Sequence, residues 1–263
     1  MSSEYILSKP QPPPDQKVTY GTDRNQFVEI RLPAAKGPHP GLINIHGGYW
    51  RAQYDLTHAG HLCQALRAAG VATFNIEYRR AHSEGGGWPG TFEDIRAAYR
   101  FIRQEHGRFN LDLDRLAIMG HSAGGQLALC LAGHEVSVRR VISLAGVVDL
   151  KKGFALHLGS GAVADFLGGT PQAVPEHYRE ADPMELSIPQ ARQWLLHGKD
   201  DDVVPVELSH DYVRAKTDAK SAPAGKAESA ELVEIPKAGH FELIDPASEA
   251  FKQVTATVMT ALG

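Results

Sequence analysis

The stretch Ala117-Ile118-Met119-Gly120-His121-Ser122-Ala123-Gly124-Gly125-Gln126-Leu127-Ala128 limits what this chain can fold into more than any other segment. An apolar run over 116–119 reads as a buried strand and 126–132 as a buried helix, which puts Ser122 at the corner between them. Gly120-x-Ser122-x-Gly124 suits a turn so sharp that the residues flanking the serine must be small, and such a turn lifts the hydroxyl above the sheet edge. The helix that follows points free N–H groups and a partial positive charge at the same spot. On its own the pattern also fits a glycine-rich corner with an idle serine, so other parts of the chain must decide.

Before and after this corner, apolar runs alternate with amphipathic stretches. Segments 18–20 and 27–32 read as two short antiparallel strands about a polar turn, with Val28, Ile30 and Leu32 on one face. Further strands are predicted at 41–46, 71–78, 116–119, 141–144, 193–197 and 231–235, and helices at 54–69, 92–105, 123–133, 206–216 and 246–262. Thr91 is read as the cap of the second helix, with Asp94 in its first turn facing the dipole. The alternation calls for an α/β fold whose mostly parallel sheet of about eight strands is covered on both faces. Ligands then bind at the carboxyl ends of the strands. With 263 residues and an apolar fraction of 43%, the chain can bury one large core, so 18–263 is read as one domain. Residues 1–17 carry Pro10, Pro12, Pro13 and Pro14 and are expected to form an extended arm over the surface.

Charge narrows the possible partners. A net charge of -4 with scattered lysines and arginines offers no basic stripe to nucleic acid or to an anionic membrane. The apolar runs fall short of a bilayer span, and the N-terminus lacks the order of a secretory signal, so a soluble cytoplasmic protein is expected. No interface strip stands out; a homodimer stays open. Cys63 and Cys130 fall in predicted helices and read as buried small hydrophobes. Among the histidines, His58-x-x-His61 comes nearest to a ligand pair but lacks the one-turn spacing and intervening glutamate of zinc hydrolases, so no metal is expected.

A second chemical stretch, Ile43-Asn44-Ile45-His46-Gly47-Gly48-Tyr49-Trp50-Arg51, ends the first parallel strand. Adjacent glycines let backbone N–H groups face a developing negative charge, so Gly47 and Gly48 are candidate donors, with Ala123 after the serine as another. His46 is read as a buttress of this loop. Tyr49 and Trp50 could wall a flat pocket or pack as core aromatics. The loop Gly85-Gly86-Gly87-Trp88-Pro89-Gly90 could frame the entrance or merely connect, and the Glu77 to Arg80 region is read as structural.

A serine needs a base within hydrogen-bond reach and a carboxylate to orient that base. Downstream, Asp200, Asp201 and Asp202 follow the strand at 193–197, and His240 lies between the last strand and the last helix. Asp201 is preferred as the acid from the spacing H-G-x-x-D-x-x-V-P, with Asp200 and Asp202 as alternatives. His240 is preferred as the base over His197, at a strand end, and His210, within a helix.

These segments together resemble the α/β-hydrolase superfamily from about residue 18 to the C-terminus. Within it, the HGGYW stretch with GHSAGG is similar to the kynurenine formamidase (arylformamidase) and small carboxylesterase branch. The resemblance implies that Ser122 attacks a carbonyl, His240 moves the proton, Asp201 orients His240, and Gly47, Gly48 and Ala123 cradle the oxyanion. It implies no cofactor, a small-molecule ester or amide as substrate, and a small cap within 149–190. The activity this likeness implies first is that of an arylformamidase on an N-formylkynurenine-type substrate, which would need a small acyl pocket and an aromatic leaving-group wall, for which Tyr49, Trp50 and Trp88 are the candidates, with His121 a further substrate-binding candidate. A general carboxylesterase would use the same parts, whereas a non-catalytic binding protein of this fold should lack one of the three reacting side chains.

Overall fold

The computed structural model describes residues 3–218 and 227–263. In chain order the elements are β1 (Gln16–Thr19), β2 (Phe27–Arg31), β3 (His39–Ile45), α1 (Gly60–Ala68), β4 (Ala72–Ile76), α2 (Gly90–Gln104), β5 (Leu111–His121) and α3 (Ala123–His134). They continue with β6 (Arg140–Leu144), α4 (Leu150–Ala155), α5 (Ala162–Leu167), α6 (Pro175–Ala181), β7 (Arg192–Gly198), α7 (Glu207–Thr217), β8 (Ala230–Ile235) and α8 (Ala250–Leu262). The eight strands form one sheet in the order β1-β2-β4-β3-β5-β6-β7-β8. β1 and β2 are antiparallel to their neighbours, and β3 to β8 run parallel.

Strand side chains alternate between two apolar layers, as a period of two requires. Ile43, Ile118 and Leu195 point into the layer shared with α2, α3, α5 and α7. Leu42, Ala117, Met119, Trp194 and Leu196 point into the layer shared with α1 and α8. Every residue of α3 from Ala123 to Ala132 is buried, which is why this helix is apolar all round rather than amphipathic. From β3 the chain passes to β4 on one side and returns to β5 on the other. The loops after β3 and β5 therefore diverge from a crevice at the carboxyl edge, where open α/β sheets bind ligands. No helix among the described residues is long and apolar enough to cross a membrane.

Three local expectations need correction. The N-terminal segment is not a plain extended arm, because Ser3–Leu7 forms a short 3-10 turn with Ile6 fully buried. The prolines constrain only the chain after residue 9, and an apolar side chain ahead of them finds the core. The helix expected over 54–69 is divided: Asp55 caps a 3-10 turn, Leu56–Ala59, and α1 starts at Gly60. Thr91 is not a cap but sits in the first turn of α2, where its Oγ1 accepts from Gly87 N at 3.1 Å and donates to Arg79 O at 2.6 Å. Asp94 is buried and receives Arg79 through Nε at 2.9 Å and Nη2 at 2.7 Å. An ion pair, rather than the helix dipole, decides its place.

Residues 149–190 hold α4, α5 and α6 with a 3-10 turn, Leu158–Ser160. Phe166, Leu167 and Tyr178 from this stretch are buried in the main core.

Docking of the N-terminal turn has a measurable consequence: Ile6→Ala should lower the unfolding free energy by about 2–5 kcal/mol in urea denaturation. A loss within about 0.5 kcal/mol, typical of surface substitutions, would show that the turn does not pack.

Candidate active site

Ser122 joins β5 to α3 with φ 57° and ψ -120°, a region that a side chain occupies only when its surroundings impose it. Its N–H donates to Leu144 O at 2.8 Å, and its carbonyl accepts from Gly125 N at 2.9 Å. A Cβ on Gly120 would collide with Gly124 O, and one on Gly124 with Ile45 O. The backbones of β3, β5 and α3 thus meet at one point. Only glycine fits at either position.

The loop after β7 brings one of the three adjacent aspartates to His240. Asp201 Oδ2 accepts from His240 Nδ1 at 2.8 Å, while its Oδ1 accepts from Val203 N at 2.9 Å and Val204 N at 2.8 Å. Asp200 and Asp202 are exposed. His197 also contributes: its Nε2 lies 3.2 Å from Asp201 Oδ2 and 2.8 Å from Val204 O, and its Nδ1 lies 2.8 Å from Ser209 Oγ. Because that Nε2 faces only acceptors, it carries a proton. Burial pushes the Asp201 carboxyl up, but the hydrogen bonds from His197 and His240 outweigh it and hold the group well below the usual carboxylate range. An ionised Asp201 fixes the His240 proton on Nδ1 and leaves Nε2 with a free lone pair. His210 lies elsewhere, 3.5 Å from Glu234.

After β3 the chain turns through Gly47 and Gly48, the latter at φ +111°. A Cβ on Gly47 would stand 2.8 Å from His121 O and 3.0 Å from Ser122 Cβ, so this loop lies directly against the elbow. Ala123 opens α3, and N–H groups of a first helical turn have no partner within their helix. His46 braces the loop from below, with Nδ1 2.7 Å from Gly47 O and Nε2 3.2 Å from Glu77 Oε1. Its ring stacks on Tyr78 at 4.3 Å. Glu77 also pairs with Arg80 and accepts from Leu56 N at 3.0 Å, so this acidic side chain is structural. Burial, followed by the Arg80 charge, lowers the His46 pKa to about 3.

Ser122 and His240 line one cavity of about 200 Å³ together with His121, Gly48, Tyr49, Tyr54, His58, Val203, Phe241, Glu4 and Leu7. Tyr49 stands in its wall and donates from its hydroxyl to Val203 O at 3.1 Å. Burial pushes that hydroxyl up to about 12. His121 packs its ring 4.5 Å from that of His240, and its Nε2 donates to His240 O at 3.0 Å. Nδ1 of His121 is buried without a partner.

Two aromatic candidates do not reach the cavity. Trp50 is fully buried, stacks on Phe166 at 4.6 Å and donates from Nε1 to Gln126 Oε1 at 3.1 Å. Positive φ at both Tyr49 and Trp50 turns the backbone sharply here, and the larger ring goes into the core while the smaller one stays at the cavity. Trp88 stacks on Phe92 at 5.3 Å, and its backbone N–H donates to Phe166 O at 2.8 Å, so the glycine-rich loop ties α2 to α5 rather than framing the cavity. Tyr54, His58, Phe241, Glu4 and Leu7 also line the cavity, and no sequence motif marks them for it. Phe241 could have been expected there, since it adjoins His240; nothing in the local pattern marks Leu7. Among the described residues no cluster of three or more metal-ligating side chains forms, and Cys63 and Cys130 are buried and unpaired.

Residues 28–215 match the BD-FAE family. Esterase LipC of Mycobacterium tuberculosis is 27% identical over 255 residues, covering 88% of this chain and 61% of LipC. The chain therefore spans less than two thirds of that relative's length. Kynurenine formamidase of Meyerozyma guilliermondii is 22% identical over 220 residues, covering 75% of this chain and 80% of the formamidase. Among solved structures, a truncated carbohydrate esterase from gut microbiota superposes with a TM-score of 0.75 at 22% identity, covering 93% of this chain and 94% of its own. The architecture is that of the α/β-hydrolase fold.

Because burial disfavours its charged form, His46 binds fewer protons folded than unfolded between about pH 6.5 and 3, and its contribution to stability falls as the pH drops through that window. In an NMR titration its ring should keep neutral-form shifts from pH 8 down to about pH 4. A midpoint near 6.5 would contradict this burial.

Proposed function

Because the chain belongs to the BD-FAE family, we propose that it is a serine hydrolase of the carboxylesterase type, cleaving small acyl esters or amides through an acyl-enzyme. The observation that carries this reading is the 2.8 Å hydrogen bond from His240 to the buried Asp201, with His240 and Ser122 on one small cavity. In this mechanism His240 Nε2 takes the Ser122 proton as Oγ attacks the substrate carbonyl. Asp201 holds the imidazole in the tautomer that makes Nε2 the base, and stabilises the imidazolium once it forms. Backbone N–H groups of Gly47, Gly48 and Ala123 face the oxygen that gains charge, a contribution of about 3–4 kcal/mol per donor at comparable sites. His240 then protonates the leaving group, and water reverses the sequence to free the acyl group. No cofactor takes part in these steps. Residues 149–190 act as a compact cap that braces the loop after β3.

A cavity of about 200 Å³ is smaller than the ~300–1,000 Å³ of sites for drug-sized ligands, which favours short acyl groups. Small esters are therefore the proposed substrates. An aryl formamide is the second reading, supported by the aromatic walls Tyr49, Tyr54 and Phe241 and by the likeness to the yeast formamidase.

One experiment tests the function and separates the two substrates: kcat/KM for p-nitrophenyl acetate and N-formylkynurenine, with the native chain and with Ser122→Ala. The native chain should favour the ester, and Ser122→Ala should lower turnover of both by about four orders of magnitude or more. Faster cleavage of N-formylkynurenine would select the formamidase reading. Activity retained in Ser122→Ala would reject the serine mechanism.

A further inference from the structure

Part of the wall around Ser122 comes from a segment that precedes every strand. Glu4 and Leu7 line the cavity that holds Ser122 and His240. In a 3-10 turn, residues three apart fall on the same side, so Glu4 and Leu7 face the cavity together. Ile6 is fully buried in the layer that α1 and α8 share, and Leu7, partly buried, packs against the edge of that same layer where it meets the cavity.

The turn is fastened on both sides. Tyr5 donates from its hydroxyl to Asp245 Oδ2 at 2.9 Å, a few residues beyond His240. Behind the turn, Pro10 O lies 2.9 Å from His61 Nε2 on α1, and Pro12 O accepts from Arg31 Nη2 on β2 at 2.7 Å. Ile6 and these three polar contacts hold the turn, and with it the Leu7 side chain, in a defined place at the cavity.

We propose that Leu7 is a specificity-determining residue that limits the length of the unbranched chain, acyl or alkyl, that enters the cavity. This inference rests on the serine-hydrolase reading for its reaction but on the packing of the N-terminal turn for its geometry. Leu7 neither donates nor accepts a proton, so its effect falls on discrimination between substrates rather than on the chemistry at Ser122. Shortening it extends the cavity toward the turn; enlarging it fills the remaining space.

Two homologous ester series read this wall: p-nitrophenyl alkanoates from acetate to octanoate, and n-alkyl acetates from methyl to octyl. In at least one series, Leu7→Ala should raise the kcat/KM ratio of the longest to the shortest member about tenfold, and Leu7→Trp should lower it by a similar factor. Thermal melts of both variants confirm that they are folded. In parallel, NMR titration of 1-butanol, 1-hexanol and 1-octanol reads the same wall without turnover, and Leu7→Ala should shift the preference toward the longer alcohols. Unchanged ratios in both series and an unchanged alcohol preference would overturn the role of Leu7. Absence of ester turnover by the native chain would instead defeat the hydrolase reading, with the alcohol titration still deciding whether Leu7 bounds the cavity.

Discussion

The close approach of three backbones at the Ser122 corner governs the rest of the molecule. β3, β5 and α3 meet where Gly120 faces Gly124 O and Gly124 faces Ile45 O, with no room for a side chain at either position. Ser122 is forced to positive φ, and the surrounding hydrogen bonds to Leu144 and Gly125 hold it there. This strain aims the hydroxyl away from the core and into the crevice at the carboxyl edge of the sheet. Because α3 starts at the next residue, the positive end of the helix faces the same point. The same contact seats Gly47 against Ser122, so the nucleophile candidate and the oxyanion candidates are positioned by one packing event.

The rest of the site is assembled from strand ends that the sheet brings side by side. β5 carries Ser122, its neighbour β6 supplies the carbonyl that holds the Ser122 N–H, and β7 and β8 lead into the loops of Asp201 and His240. Asp201 is held by two backbone N–H groups and two imidazoles, so it stays ionised in a buried place where an isolated carboxylate would not. His121, one residue before Ser122, donates to the His240 carbonyl and ties the last loop to the elbow. The polar groups are thus fixed by the fold before any substrate arrives.

What the sequence disclosed followed from the range of the interaction responsible. Strand and helix periodicity, the glycine spacing about Ser122 and the tandem Gly47-Gly48 are local, and each reappears in the structure within a few residues of where the pattern put it. The spacing that singled out Asp201 among three adjacent aspartates is local too, since the Asp201 carboxylate must accept from Val203 and Val204 two and three residues on. Trp50 and Trp88 could not be placed by such rules: both surround Phe166, a partner far along the chain that nothing near either tryptophan announces. The docking of Ile6 and the pairing of Asp94 with Arg79 are long-range in the same sense, decided by which surfaces the folded sheet leaves to be covered.

In the proposed mechanism one strained serine, one imidazole held by a buried carboxylate and one glycine loop act on a single carbonyl carbon. A crystal structure of the chain after reaction with a small alkyl phosphonate tests it directly. Phosphorus is expected on Ser122 Oγ, with the phosphoryl oxygen turned to the N–H groups of the Gly47-Gly48 loop and Ala123 and with His240 Nε2 beside the adduct. Phosphorus on another side chain, or a phosphoryl oxygen turned away from that loop with His240 out of reach, would contradict it.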